Sequence, residues 1–212
     1  MALSVIIYVM KYLIGIDEAG RGPLAGPVSV GVAMVAEDFD WSLLKGVKDS
    51  KQLSADARER IFAEMKALEK AGMLRFAVAF SSVQLIEQKG IVFAVQSALN
   101  RSLRILVKDG PCHKVLLDGG LKAPAEFTNQ KTIIRGDQSE PIISLASIAA
   151  KVLRDRRMRS LARSYPAYGF DIHKGYGTLA HRTAIKRLGL SEIHRPSFCS
   201  RIIDDRLTIH DS

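Results

Sequence analysis

Four carboxylates stand where short apolar runs stop. Asp17 and Glu18 follow Tyr12-Leu13-Ile14-Gly15-Ile16, Asp118 follows Val115-Leu116-Leu117, and Asp137 comes shortly after Thr132-Ile133-Ile134. Each lies near glycine: Gly20-Arg21-Gly22 comes after the first pair, Gly119-Gly120 after Asp118, and Gly136 directly before Asp137. A carboxylate at the end of a buried strand loses hydration and must be paired or bound to a cation. Several of them converging would make an oxygen-only donor set suited to the hard ions Mg2+ or Mn2+. Strand-end acids beside glycine are also ordinary turn residues and helix caps, and spacing by itself does not bring the four together. Asp17 and Glu18 add a condition, because neighbours on a regular strand face opposite ways. Both serve one site only if the strand ends or bulges between them, as the following glycines allow.

The elements that must position these acids read as strands first, then mixed helix and strand, then a helical, basic end. Tyr12–Asp17 predicts a buried strand, with Val28–Val35 as its hairpin partner across the turn Gly20–Pro27. Ser54 predicts the N-cap of a helix carrying Ile61, Met65 and Leu68 on one face, with Gly72 just past its end. Leu74, Phe76, Val78 and Phe80 alternate as a strand does, and a helical stretch from Ser82 to Leu106 is interrupted at Gly90. Val115–Leu117 and Thr132–Ile134 predict two fully buried parallel strands. Pro141 opens a long helix through Leu145, Ala149, Val152 and Leu161 that stops near Tyr165-Pro166, and another runs from Thr178 to Leu188 and closes at Gly189. There is no repeat or clear linker. The expected organisation is residues 1–165 as the main domain, with residues 166–212 as a basic helical extension packed on it.

The chain has 212 residues, of which 47% are hydrophobic and 25% charged, a globular balance, and its formal net charge is +9. Between Lys151 and Arg201 twelve Lys and Arg stand against three acids (Asp155, Asp171 and Glu192), a local net of +9. Most of these cations are arginines, whose planar fork matches phosphate oxygens. Neutralising phosphates releases condensed counterions, so this third of the chain predicts a nucleic-acid face. Asp155, between Arg154 and Arg156, reads as an ion-pair residue and not as a metal ligand. Cys112 and Cys199 form no framework and read as free thiols in a reducing compartment. The apolar start Ser4–Met10 is broken by Lys11, is too short to span a bilayer and lacks a basic flank, so the expectation is a cytoplasmic protein. The five histidines lack zinc-site spacing and read as loop or surface residues. Gly20-x-Gly22 is interrupted by Pro23 and Pro27, which argues against a dinucleotide-binding turn, and no G-K-[ST] phosphate loop occurs.

A set of blocks in order then becomes specific. Asp17-Glu18-Ala19-Gly20-Arg21-Gly22-Pro23-Leu24-Ala25-Gly26-Pro27, Asp49-Ser50-Lys51-Gln52-Leu53-Ser54, Leu117-Asp118-Gly119 and Gly136-Asp137 come first. Ala146-Ser147-Ile148-Ala149-Ala150-Lys151-Val152 with Arg154-Asp155-Arg156, Tyr168-Gly169-Phe170, His173-Lys174-Gly175-Tyr176 and His194-Arg195-Pro196-Ser197-Phe198 follow. From Tyr12 to Phe198 the chain resembles ribonuclease HII, the type 2 ribonuclease H family. The resemblance implies an α/β, RNase H-like fold: a mixed five-stranded sheet flanked by helices, with a small helical C-terminal extension. It also implies catalytic metal ligands at Asp17, Glu18, Asp118 and Asp137, and two divalent ions, Mg2+ or Mn2+.

Hydrolysing a phosphodiester needs an activated water, an in-line leaving oxygen and neutralisation of transition-state charge, which two divalent ions can supply without a histidine base. The family resemblance implies cutting of the RNA strand of RNA–DNA hybrids, and of DNA duplexes 5′ to a single embedded ribonucleotide, leaving 3′-hydroxyl and 5′-phosphate ends. The 2′-hydroxyl is the group that separates RNA from DNA. The resemblance assigns its reading to Gly20, Arg21 and Gly22 together with Tyr176, whose ring would stack on the next deoxyribose. Tyr176 also fits a half-buried core tyrosine. Lys51 and Lys174 are candidate phosphate contacts and equally fit solvated surface charges. The protein is expected to act as a monomer, away from membranes. The competing classes are a non-catalytic nucleic-acid-binding protein, for which the four acids would be dispensable, and another nuclease of the same fold, such as a type 1 ribonuclease H or a junction resolvase.

Overall fold

Two runs rich in β-branched residues meet across a Gly/Pro turn, and that hairpin is the centre of the sheet. β1 (Tyr12–Ala19) and β2 (Val28–Ala36) pair antiparallel, from Tyr12 opposite Ala36 to Ala19 opposite Ser29. A computed structural model describes residues 11–47, 53–107 and 113–207. In it β3 (Leu74–Ser81) extends the antiparallel part beyond β2, while β4 (Lys114–Asp118) and β5 (Gln130–Ile133) add in parallel on the side of β1. The five-stranded order is β3-β2-β1-β4-β5, so the ends of β1 and β4, with their acids, lie side by side at the middle of the sheet.

The helices start where their sequences allow. Ser54 Oγ accepts from Ala57 N at the start of α1 (Ala55–Lys70), and Ser82 Oγ accepts from Leu85 N at the start of α2 (Val83–Leu106). Gly90 breaks α2 with φ 82° and ψ 160°, a conformation that needs glycine. A short α3 (Gly136–Ser139) leads to α4 (Pro141–Ser164), which has its proline in the first turn, where no donor is missed. The C-terminal part holds α5 (Phe170–His173), α6 (Leu179–Leu188) with Thr178 as N-cap, and α7 (Pro196–Leu207).

Both sheet faces are covered. α2 closes one, packing Ala98, Leu99 and Leu103 on Ile14, Ile16, Val30 and Val32. α4 and α1 close the other, where Ile142, Leu145, Ala149, Phe62 and Met65 meet Ala33, Val35 and Leu116. This burial on both sides is why β2 reads as an almost unbroken apolar run and not as an alternation. α4 approaches the sheet over two glycines: a Cβ on Gly15 would lie 2.2 Å from the Ile142 carbonyl oxygen, and one on Gly31 2.2 Å from that of Ala146. Gly15→Ala should therefore push α4 away and lower stability by about 1–3 kcal/mol, the range for overpacking a core. A fall in the urea midpoint at unchanged m-value is the measurement, and an unshifted midpoint would show that α4 has room to move.

One expectation is corrected. Thr132–Ile134 is not a fully buried strand: β5 is the sheet edge, Lys131 and Thr132 are exposed, and Ile134 lies past its end, 85% exposed. The strand expected from Leu74, Phe76, Val78 and Phe80 is present as β3, with Ala77, Ala79 and Ser81 on the face under α2 and Leu74, Phe76 and Val78 packed on the other. Among the described residues no helix is long and apolar enough to cross a membrane.

Candidate active site

The parallel pairing of β1 with β4 runs from Leu13 opposite Lys114 to Ile16 opposite Leu117, so the next residues, Asp17 and Asp118, leave the ladder together. Asp17 is 4% exposed, and its carboxylate folds back to accept from Glu18 N at 2.8 Å. Burial holds its pKa well above the usual carboxylate value, and the charges of Glu18 and Asp118 add to this against a hydrogen bond from Ser147 of α4. Burial also raises Glu18, opposed by Arg21, whose guanidinium lies 3.3 Å from it. Asp118 accepts from Gly136 N at 2.7 Å, tying the end of β4 to the helix that carries Asp137. Asp137 is fully buried, and its carbonyl accepts from Ser144 Oγ at 2.5 Å. Arg135, directly before Gly136, takes a left-handed conformation (φ 55°), so the chain turns sharply to set this helix at the site.

The strand neither ends nor bulges between Asp17 and Glu18: β1 continues in register with β2 through Glu18 opposite Val30 and Ala19 opposite Ser29. The two side chains start from opposite sides of the strand. They meet electrostatically because the strand end is open beyond Ile16 on the β4 side. Among the described residues no three carboxylate, imidazole or thiolate side chains are gathered tightly enough to hold a metal ion as they stand. The donor chemistry nevertheless fits one. Asp17, Glu18 and Asp118 are hard oxygen donors, the first two are desolvated, and their mutual repulsion is what a divalent cation relieves. The half-exposed Arg21–Glu18 pair that a cation would displace is worth only about 0–1 kcal/mol.

The glycine-rich turn after β1 is held from below by two buried arginines. Arg195 donates from Nη1 to the Arg21 carbonyl at 2.8 Å and from Nη2 to those of Gly20 and Gly26 at 2.8 and 2.7 Å. Arg154 donates to the carbonyls of Pro27, Lys174 and Ala25. Both are 0% exposed, and Gly20, at φ +93°, lies so close to Arg154 that a Cβ would overlap it. The turn also bonds by backbone to both C-terminal blocks, through Leu24 N to Gly175 O, Gly26 N to Ile193 O and Arg195 N to Leu24 O. Arg21 and Gly22 remain exposed above this base. Tyr176 is 41% exposed, so it is no core residue, and Lys151 Nζ lies 5.3 Å and Arg154 Cζ 5.8 Å from its ring centre. Lys174 donates to the carbonyls of Asp171 and Ile172, closing α5. Lys51 lies outside the described residues.

Five of the twelve cations in the basic stretch are used within the protein itself. Arg154 and Arg195 are interior clamps, Arg156 and Arg159 pair with Glu59 at 2.5 and 2.9 Å, and Lys151 pairs with Asp155 at 2.9 Å. Arg154 gave a signal in sequence, since it is one helical turn from Ala150 and from Met158 on the buried face of α4. The reading of the histidines as loop or surface residues is wrong for His181, which lies within α6 at 0% exposure, while His194 is a loop residue but only 1% exposed.

Comparison with known proteins agrees with this arrangement. The family model described as Ribonuclease HII matches residues 14–201. The chain is 42% identical over 184 residues to ribonuclease HII of Coxiella burnetii strain Dugway 5J108-111, covering 87% of this chain and 86% of that one. It is 43% identical over 189 residues to ribonuclease HII of Bacillus anthracis strain CDC 684, covering 89% and 69%. The crystal structure of ribonuclease H2 from Pyrococcus horikoshii OT3 superposes with a TM-score of 0.69 at 26% identity, over 92% of this chain and 99% of that one. Its mixed five-stranded sheet is thus the RNase H-like fold, and the chain belongs to the ribonuclease HII family, a metal-dependent endoribonuclease acting on the RNA of RNA–DNA hybrids.

Proposed function

We propose that this enzyme also cuts DNA duplexes 5′ to single embedded ribonucleotides, leaving 3′-hydroxyl and 5′-phosphate ends, with Asp17, Glu18, Asp118 and Asp137 as its catalytic metal ligands. The observation that carries this reading is the placement of the desolvated Asp17 and Glu18, with Asp118 beside them, directly before an exposed Arg21-Gly22 turn, with Tyr176 presented from the loop bonded to that turn. Two divalent ions, Mg2+ or Mn2+, would supply an activated water and neutralise charge on the transition state. The chain's own part is to hold the four carboxylates and present the substrate. The backbone of Gly20, Arg21 and Gly22 reads the 2′-hydroxyl, because a turn with two glycines lets peptide groups approach a ribose closely. The Tyr176 ring stacks on the following deoxyribose, and Lys51 and Lys174 steer the phosphates. Residues 166–212 serve as a basic helical extension to the 1–165 domain. The carboxylates, the turn and the tyrosine all come from one chain, which supports a monomer. The buried free thiol of Cys199 fits a cytoplasmic setting.

A labelled DNA duplex with one ribonucleotide, incubated with Mg2+, with Mn2+ and with chelator, tests the reading. The expected result is one cut on the 5′ side of the ribonucleotide that disappears with chelator. Cutting of long RNA–DNA hybrids with the single-ribonucleotide duplex left intact would overturn the junction role of Tyr176. Binding without any cutting would favour a non-catalytic binding protein.

A further inference from the structure

Behind Tyr176 three imidazoles gather around the fully buried ring of Phe170. His181 stacks on His173 at 4.2 Å between ring centres, and its Nε2 lies 3.1 Å from Nε2 of His194. Their partners determine where each proton sits. Ser191 N–H donates to His194 Nδ1 at 2.8 Å, so that nitrogen is bare and the His194 proton is on Nε2. From there it is donated to His181 Nε2, which must be an acceptor. The His181 proton is then on Nδ1, which donates to the Tyr176 carbonyl at 2.9 Å. His173 is set in the same way: its Nε2 donates to the Tyr168 carbonyl and its Nδ1 accepts from Gly175 N.

We infer that His194 and His181 form a neutral relay that positions Tyr176 for recognition of the ribonucleotide junction. The inference rests on the reading that Tyr176 meets the nucleic acid there. The Tyr176 amide donates to the His173 carbonyl, and the Tyr176 carbonyl accepts from Thr178 N as well as from His181. With both flanking peptide planes held, the direction of the Cα–Cβ bond is set, and the exposed ring keeps only its side-chain rotations. The relay starts at Ser191, next to the segment that supplies Arg195, so the clamp beneath the Gly-Arg-Gly turn and the support of Tyr176 share one anchor. Burial supports the neutral state by holding both imidazoles down at about 4. A proton on either would set two N–H donors face to face across 3.1 Å.

Two measurements on the whole protein decide it. Imidazole 15N NMR at neutral pH should show His181 protonated on Nδ1, the tautomer less favoured in water, and His194 protonated on Nε2. The opposite tautomer or a charged ring at either position overturns the relay, with no variant needed. In steady-state cutting of a single-ribonucleotide duplex, His181→Leu should raise KM about tenfold, the scale of one lost hydrogen bond, with kcat changed much less. His181→Asn leaves a similar cavity but puts an amide N–H in the place of Nδ1, and should restore most of the KM. Equal losses in the Leu and Asn variants would mean packing and not the donor, and would sink the inference. Tyr176→Ala separates the two levels. If it leaves KM unchanged, the Tyr176 reading falls and takes the relay with it. If it raises KM while His181→Leu does not, the relay falls by itself.

Discussion

Asp17→Asn is expected to abolish cutting and, at neutral pH, to make the protein more stable. With Asp17 as the metal ligand proposed above, its loss would remove metal-borne stabilisation of transition-state charge, several kcal/mol, which corresponds to a rate loss on the order of a thousandfold or more. The stability gain has a separate origin. Asp17 is 4% exposed and its pKa lies well above the usual carboxylate value, first because it is buried and then because Glu18 and Asp118 repel its charge. A raised folded-state value means that the charged form is disfavoured by folding, so above that value ionised Asp17 destabilises the native state. The destabilisation fades as pH falls from the raised value toward the ordinary one and is gone below the ordinary carboxylate range, where Asp17 is protonated folded and unfolded alike. Asn keeps an oxygen that can accept from Glu18 N but carries no charge. Its melting temperature should exceed that of the wild type at pH 7 and converge with it in acid. Mn2+ should raise the melting temperature of the wild type and not of the variant, by mass action on the native state. An Asn variant that cuts at close to the wild-type rate would remove Asp17 from the ligand set. One that melts lower at pH 7 would show that the acid cluster is not strained by its own charge.

Arg195→Leu should produce the largest loss of stability of any substitution around the turn, about 3–5 kcal/mol by analogy with breaking a buried charged contact. Arg195 is 0% exposed, and its fork bonds to three carbonyls, of Gly20, Arg21 and Gly26, while its guanidinium carbon lies 5.1 Å from the Phe198 ring centre. Leucine fills much of the volume but leaves these carbonyls without that donor in a dry place, at about 1–3 kcal/mol for each group left unsatisfied. Burial lowers the guanidinium to about 9, still charged at neutral pH, so the planar fork is present in full. Lysine is no substitute, since one ammonium cannot serve carbonyls spread along a planar fork. Urea unfolding of Arg195→Leu and Arg195→Lys should therefore show losses of the same order. A Leu variant within about 1 kcal/mol of the wild type, the level of an ordinary substitution, would show that the turn holds its shape through its backbone bonds.

Much of this architecture is legible along the chain because its causes are local. Ser54 caps α1, Gly90 interrupts α2, Pro141 opens α4 and Gly189 closes α6, as the residues within a few positions of each dictate. Asp17 and Asp118 announce themselves because an acid after an apolar run is unusual whatever the fold. The failures share a cause of another kind. Thr132-Ile133-Ile134 has the composition of a buried strand, yet it lies at the edge because among the described residues no strand pairs beyond β5, a fact of topology. Arg154 and Arg195 belong to a stretch whose charge predicts a surface, but the same guanidinium can meet phosphate or be sealed under a turn. Which of these occurs depends on whether unsatisfied carbonyls face it. His181 and His194 carry no zinc spacing and look idle until both are seen to share one proton line.

The order of the five strands and of the longer helices α1, α2, α4 and α6, the four acids at or near strand ends and the resemblance to ribonuclease HII can all be read from the chain alone. Those depend on residue type and on neighbours a few positions away. Only the tertiary structure decided that the ends of β1 and β4 lie side by side, that β1 runs past Asp17 without a bulge, and that Arg195 reaches back 175 positions to the Gly20 carbonyl. It also decided that His181 and His194 are buried. The physical reason is desolvation, which the chain creates only on folding and which turns a charge or an imidazole into a ligand, a clamp or a relay according to what surrounds it.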